Sequence, residues 1–329
     1  MKVLVGDIGG TWLRFAIIEV HGRHLNIRFE GSLPSKNYAC LNLALEQFTT
    51  ACGLTFDAAC LGVAGPVHNG RCSLSNLPWI IDSAEIEARL GLEHVSLIND
   101  LVANAFGIRA LSEQDFLVVN AGSPNPCGNA CIIAAGTGLG EAGLFWDGRE
   151  HQPFACEGGH CDFAPASELD YRLQQFLKKR YDHVSWERVL SGTGIVNIFE
   201  FLCHEYSMPQ PEWFVLEKVQ GDPASTISRF ALTEQNPLCV ETMQLFLKYY
   251  GAEAGNLALK TMAVAGIHIG GGIAAKNIPL FRQPFLDALR AKGRMQALLG
   301  DIPVKIILNR RAALFGAAVF AVNGFTHAG

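Results

Sequence analysis

"KVLVGDIGGTWLRFAIIEV", residues 2 to 20, decides the fold. Lys2 to Val5 are β-rich, Gly9 and Gly10 supply a turn, and Trp12 to Val20 alternate loosely before the turn at His21-Gly22-Arg23, so the stretch reads as strand, glycine turn, strand. The pattern returns at residues 130 to 148, "ACIIAAGTGLGEAGLFWDG", with an apolar strand, a Gly-Thr-Gly turn, a second strand and a further turn at Asp147-Gly148. One copy in each half predicts a duplicated domain, each copy offering a glycine loop to a shared cleft. Strands alternate with helices around the hairpins. "AACLGVAGPV" (58–67) and "HVSLI" (94–98) read as strands, and "LVANAFGIRAL" (101–111) reads as a helix. "DSAEIEARLGL" (82–92) reads as a helix with Asp82 and Glu85 at capping-box spacing and Gly91 as its stop. This order predicts an α/β fold with a mixed or parallel sheet. "NAGSPNPCGN" (120–129), "SMPQPEW" (207–213) and "QGDP" (220–223) read as a linker and loops.

A chain of 329 residues exceeds the size at which one hydrophobic core stops growing, which predicts two domains. It is 49% hydrophobic with 34 Gly and no low-complexity tract, the composition of a globular enzyme. The net charge of -5, with no basic cluster longer than Lys178-Lys179-Arg180, argues against nucleic acid or an anionic membrane as partner and for a small polar ligand. Gly6 and Asp7 arrive too early for a secretory signal, and no stretch of membrane-spanning length is free of polar or Gly interruptions, so a cytoplasmic location is expected. The ten Cys lack the spacing of a disulfide framework, and most are expected to be reduced and buried. Cys127, Cys131, Cys156 and Cys161 lack the two-residue gap of zinc knuckles, so no metal site is expected there.

Phosphate needs backbone N–H groups that converge with no side chains in the way, and glycine turns supply them. "GDIGGT" comprises Gly6, Asp7, Ile8, Gly9, Gly10 and Thr11, with Asp7 suited to holding a metal through water. "AGTGLG" contributes Gly136, Thr137 and Gly138, and "GIHIGGGIAAK" (266–276) sets Gly270, Gly271 and Gly272 between an apolar strand and a helix. Each alone also reads as a tight turn. Neither a Walker A motif nor GxGxxG is present. A small polar ligand, by contrast, is read by carboxylates, amides and a neutral His. "CEGGHCDF" offers Glu157 and His160 around two glycines, and "SWERVLSG" offers Glu187; as plain structure these are surface charges and a core histidine. In "SLINDLVANAF" (96–106) an apolar strand stops at Asn99-Asp100, where Asp100 reads either as a helix cap or as a carboxylate at the ligand end of a strand.

In this order, "GDIGGT", "LIND", "AGTGLG", "EGGHCDFAP", "ERVLSGTG" and "IGGGIA" resemble the bacterial glucokinase family over nearly the whole chain. The resemblance implies an actin-like, hexokinase-like α/β kinase. Two RNase-H-like domains would close an interdomain cleft over ATP and glucose. The small domain would comprise residues 1–110 and 301–329, the large one 111–300, and homodimers are common in the family. Glucose would be contacted by Asn76 (in "SLSNLPW"), Asn99, Asp100, Glu157, His160 and Glu187. Asp100 would take the proton of the 6-hydroxyl, the glycine turns would hold ATP, and Mg²⁺ would arrive with the nucleotide. Related ROK kinases carry a CxCGxxGC zinc cluster that this chain lacks. Two alternatives stay open: a kinase for another hexose, such as mannose, fructose or glucosamine, and a sugar-sensing regulator on the same fold. A regulator would usually carry a helix-turn-helix extension, for which the first loop at Gly6 leaves no room.

Overall fold

The computed structural model describes residues 1–326 apart from 23, 75, 76, 124 and 282. The chain forms two compact units: Met1–Phe116 with Gln152–Ala155 and Asn309–Gly329, and Leu117–His151 with Cys156–Leu308. The divisions fall after residues 116 and 308, where the sequence reading put them after 110 and 300. Residues 304–307 form a strand of the second unit's sheet, which carries the return point past them.

In the first unit β1 (Lys2–Ile8), β2 (Trp12–His21) and β3 (His24–Pro34) precede α1 (Leu41–Cys52) and β4 (Ala58–Val63). A small sheet of β5 (Val67–His68), β6 (Arg71–Ser73) and β7 (Ile80–Asp82) leads to α2 (Ser83–Leu90), β8 (Val95–Asn99) and α3 (Asp100–Gly107). The main sheet has the order β3-β2-β1-β4-β8, antiparallel within the hairpins and parallel from β1 onward. Strand alternation assigns its two faces. Leu4 and Ile8 pack with Leu41, Ala44, Leu45 and Phe48, the i, i+3, i+4, i+7 stripe of α1. Val3 and Val5 pack with Ala103 of α3 and with Ala313, Leu314, Ala317 and Ala318 of the helix Ala312–Thr326. That helix and α3 cross closely: a Cβ on Gly107 would lie 2.0 Å from the Ala312 carbonyl oxygen, and one on Gly316 would lie 1.7 Å from that of Ala103. Glycine at both positions lets backbone meet backbone.

The second unit repeats the plan. Along the chain come β9 (Phe116–Asn120), β10 (Ala130–Ala135), β11 (Leu139–Trp146) and β12 (His151–Cys156), of which Phe116 and Gln152–Ala155 count with the first unit, then α4 (Glu168–Lys178), α5 (Gly192–Glu205), α6 (Glu212–Gln220), α7 (Pro223–Leu232) and α8 (Pro237–Thr261). β13 (Gly266–Gly270), α9 (Gly272–Lys276), α10 (Gln283–Arg290), α11 (Gln296–Asp301) and β14 (Val304–Ile307) follow, and α12 is the helix Ala312–Thr326 already described. The sheet order is β12-β11-β10-β13-β14-β9, so its first five strands are connected as in the first unit and β9 is added at the edge. The duplication read from the two hairpins is thus a repeated topology. α8, 25 residues long, is apolar around much of its circumference and lies in the core with Met243, Phe246, Tyr250 and Leu257 buried. The Tyr250 hydroxyl accepts from Ala135 N–H (3.1 Å) and lies 3.2 Å from the Ile133 carbonyl, fixing the end of β10.

Two loop readings need correction. "QGDP" contains a helix start: Asp222 caps α7, its side chain accepting from Ser225 N–H, and Pro223 follows as the first helical residue, where its missing N–H costs nothing. "SMPQPEW" already enters α6 at Glu212.

Candidate active site

In the first unit, β8 ends where α3 begins, and Asn99 is the cap: its Oδ1 accepts from Leu101 and Val102 N–H at 2.9 and 3.2 Å. Asp100, read as the possible cap, is the first helical residue, with its Oδ1 2.9 Å from Leu101 N. Gly62 pairs with Asp7 across the parallel β1–β4 ladder, and a Cβ on it would lie 3.1 Å from Ala103 Cβ and 3.6 Å from Asp100 Cα. The missing side chain lets the first turn of α3 settle there, so Asp7 and Asp100 stand on one sheet face. Burial pushes the Asp7 carboxyl above the usual carboxylate range, against the pull of the Arg14 guanidinium 3.3 Å away. The turn after β1 closes with Gly9 N–H donating to Trp12 O, leaving Gly10 partly and Thr11 well exposed. Ser35, fully buried, pins this turn: its Oγ donates to Gly9 O (2.8 Å) and its N–H to Thr11 O (3.0 Å). The sequence reading missed Ser35, because nothing local links it to a loop 24 residues earlier. Asn76 lies outside the described residues.

The second unit holds a cavity of about 440 Å³. Gly136 and Thr137 of the β10–β11 turn line it, with Gly192 and Thr193 starting α5, Asp222 to Ser225 starting α7, and Gly272, Ile273, Lys276 and Asn277 in and after α9. Three helix starts therefore converge on one space. Gly194 and Ser225 N–H are taken by the Ser191 and Asp222 caps and Gly192 N–H by Gly136 O, the remaining first-turn N–H groups have no acceptor in their own helix, and the lining also holds the Lys276 cation and the Asp222 carboxylate. Such a lining suits an anionic ligand. Of the predicted glycines, Gly136 and Gly272 reach the cavity with Thr137. Gly138 and Gly270 instead allow close packing: a Cβ on Gly138 would lie 2.6 Å from Glu187 Oε2, and one on Gly270 3.1 Å from Ala134 Cβ. The helix starts at 192 and 222, and Lys276, went unassigned in the sequence; the Ser191 and Asp222 caps were their visible signal.

The Gly158–His160 turn lies beside a second turn, Trp186–Arg188, and the two are laced by Trp186 N–H donating to Cys161 O (3.0 Å) and Phe163 N–H donating to Val184 O (2.9 Å). His160 Nε2 stands 3.8 Å from Glu157 Oε2, and both side chains are more than half exposed. Glu187 Oε2 accepts from Leu139 N–H (3.1 Å), joining this region to the glycine turn that borders the cavity. Glu157, His160 and Glu187 are thus gathered in the second unit, whereas Asn99 and Asp100 belong to the first.

Residues 4–324 match the family model described as Glucokinase. The chain belongs to the glucokinase family. The glucokinase of Nostoc sp. is 40% identical, over 98% of this chain and 99% of the relative. A glucokinase structure from an Antarctic psychrotroph matches with a TM-score of 0.82 at 30% identity, covering 98% of this chain and 99% of that one. A ROK family glucokinase from Streptomyces griseus, solved with glucose and AMPPNP, shares the fold at a TM-score of 0.67 and 21% identity, over 98% of this chain and 100% of that one. The chain accordingly has the two-domain, actin-like and hexokinase-like α/β fold.

The ten cysteines form no disulfide among the described residues. Cys60, Cys72, Cys131, Cys203 and Cys239 are buried, whereas Cys127 and Cys161 are exposed, so the expected burial holds for half rather than most. Among the described residues no group of three or more His, Cys, Asp or Glu is placed to hold a metal ion. No helix among them is long and apolar enough to cross a membrane.

Proposed function

We propose that the chain, which as a member of the glucokinase family phosphorylates glucose, transfers the γ-phosphoryl group of ATP to the sugar's 6-hydroxyl with Asp100 as general base. The observation that carries this reading is the division of labour at the end of β8: Asn99 caps α3, and Asp100 stands at the helix start, on the same sheet face as Asp7. Phosphoryl transfer asks the protein for in-line positioning, charge neutralisation and a group to take the hydroxyl proton. The cavity ringed by helix starts, with Thr137 and Lys276, is the reading's nucleotide site, in keeping with the AMPPNP-bound relative. Gly9, Gly10 and Thr11 would steady the phosphates. Asp7, a single carboxylate, fits a water-mediated contact to Mg²⁺ better than a full coordination shell; bound with the nucleotide, the ion supplies positive charge at the phosphates. Glu157, His160 and Asn99 would bind sugar hydroxyls, with Glu187 offering the oxygen that Leu139 does not use. The reading includes a cytoplasmic homodimer, for which sedimentation would give twice the 35.7 kDa chain mass.

Assays of ADP release against a panel of hexoses test the substrate, with glucose expected to give the highest kcat/KM. Glu157→Gln and His160→Ala are expected to raise the glucose KM by roughly 5- to 150-fold, the effect of losing one hydrogen-bonding partner worth about 1–3 kcal/mol. ATP affinity should stay within about 2-fold, since neither residue lines the cavity. Unchanged glucose KM in both variants would return these residues to ordinary surface positions.

A further inference from the structure

β11 carries a carboxyl group where an apolar side chain is expected. Glu141 pairs with Ile133 of β10 in the antiparallel ladder and is only 2% exposed. Its Oε1 is buried with no hydrogen-bond partner among the described residues. The carboxyl lies directly under the turn that holds His160: a Cβ on Gly158 would fall 1.8 Å from Glu141 Oε2 and 2.7 Å from its Cδ. Next to it, a Cβ on Gly159 would fall 2.2 Å from the Leu139 carbonyl oxygen, so the turn is seated on β11 at two successive residues. At Gly159 the obstacle is backbone and only glycine fits, whereas at Gly158 it is the end of the Glu141 side chain, which a Cβ would displace.

We propose that Glu141 is a positioning residue for sugar binding: its carboxyl fills the space beneath Gly158 and sets the height of the Glu157–His160 segment over β11. The inference rests on the reading that Glu157 and His160 bind the sugar. The surroundings favour the uncharged form. Burial, and then the Glu253 carboxyl of α8, push Glu141 up to about 8, while Lys260 of the same helix pulls it down. The other titratable groups facing it are Cys131 of β10, Cys156 at the end of β12, and Tyr250 of α8. Glu253 is itself raised by burial, and it accepts from Asn256 and faces Lys260 and Lys292. Below about pH 8 Glu141 therefore keeps its proton, and above it a buried carboxylate with one unpartnered oxygen must draw water or move, carrying Gly158 with it.

The test is the glucose KM from pH 6.5 to 9.5 in wild type, Glu141→Gln and Glu141→Ala. The wild-type KM should be flat at low pH and rise by about 5-fold or more as pH passes 8. Glu141→Ala should show a raised KM at every pH. Glu141→Gln keeps the shape without an ionisable proton and should rescue a low, pH-independent KM, with the ATP KM tracking wild type in all variants. A Glu141→Gln profile that rises as wild type does would overturn the proposal. Hydrogen-exchange protection of residues 157–161 at pH 7 and 9, without sugar, reads the turn itself. Protection that falls at pH 9 in wild type but not in Glu141→Gln upholds the positioning role even if Glu157→Gln leaves glucose affinity intact, a result that would sink only the sugar assignment. Equal protection at both pH values, alongside weakened glucose binding by Glu157→Gln, would overturn the positioning role alone.

Discussion

Asp100→Asn is expected to lower kcat for glucose phosphorylation by about 10² to 10⁴, the usual contribution of a general acid–base group, while leaving the fold in place. The structure makes this a cleaner test than the sequence allowed. The cap of α3 is Asn99, whose two bonds to Leu101 and Val102 N–H do not involve the substituted side chain. An asparagine at 100 still presents an oxygen toward Leu101 N–H, and what is lost is one negative charge in the first helical turn, worth about 0.3–1 kcal/mol. Melting should accordingly shift by less than about 4 °C. ATP affinity should hold, because every residue lining the cavity lies in the second unit. Kinetics and a melting curve on the same preparation decide the matter. Turnover within about 3-fold of wild type, with normal melting, would leave Asp100 a purely structural helix residue and send the search for the base elsewhere.

Gly271→Ala is expected to be nearly as damaging by another route. Gly271 has φ +84° and ψ 157°, a region that side chains exclude, and its Cβ would fall 2.2 Å from the carbonyl oxygen of Ala135, with that residue's own C and N at 2.8 and 3.0 Å. All three obstacles are backbone, so no rotamer change relieves them. Ala135 ends β10 and immediately precedes Gly136 and Thr137, so relief must come from parting two loops that share the cavity wall. A loss of about 2–4 kcal/mol in stability, together with an ATP KM raised by 10-fold or more, is the expected outcome. Gly272→Ala is the control: a Cβ there meets nothing within 4 Å, and melting should stay near wild type. Equal melting of the two variants would show that the close approach at Gly271 does not matter.

The hairpins were legible because period-two apolar runs broken by Gly-Gly and Gly-Thr-Gly have few other readings. The repeated strand order followed from them. The helix cap was misplaced by one residue because Asn and Asp cap about equally well, and only the backbone course after Ile98 decides which is outside the helix. The cavity was only partly visible. Its glycine turns announce themselves, but Gly192, Ser225 and Lys276 meet only after α5, α7 and β13 are stacked, and Asp222-Pro223 carries the same composition whether it opens a helix or bends a loop. Glu141 passed unnoticed within an apolar strand. Its placement beneath Gly158 is a contact between a ladder position and a later turn, and no local periodicity encodes it.

The crossing of α3 and α12 through Gly107 and Gly316 also governs how the protein comes into being on the ribosome. The helix that bears Asp100 takes its seat partly from residues 312–326, which are translated only after residues 117–308. At roughly 5–20 residues per second that interval is about 10–40 s. During it the sheet face carrying Val3, Val5, Ala16 and Ile18 is finished as a sequence but uncovered by the helix that later buries it. A nascent chain in this state presents an apolar surface to chaperones, while the segment between the two crossing partners can fold as it emerges. Premature termination before Ala312 would therefore leave that face of the first unit exposed and association-prone.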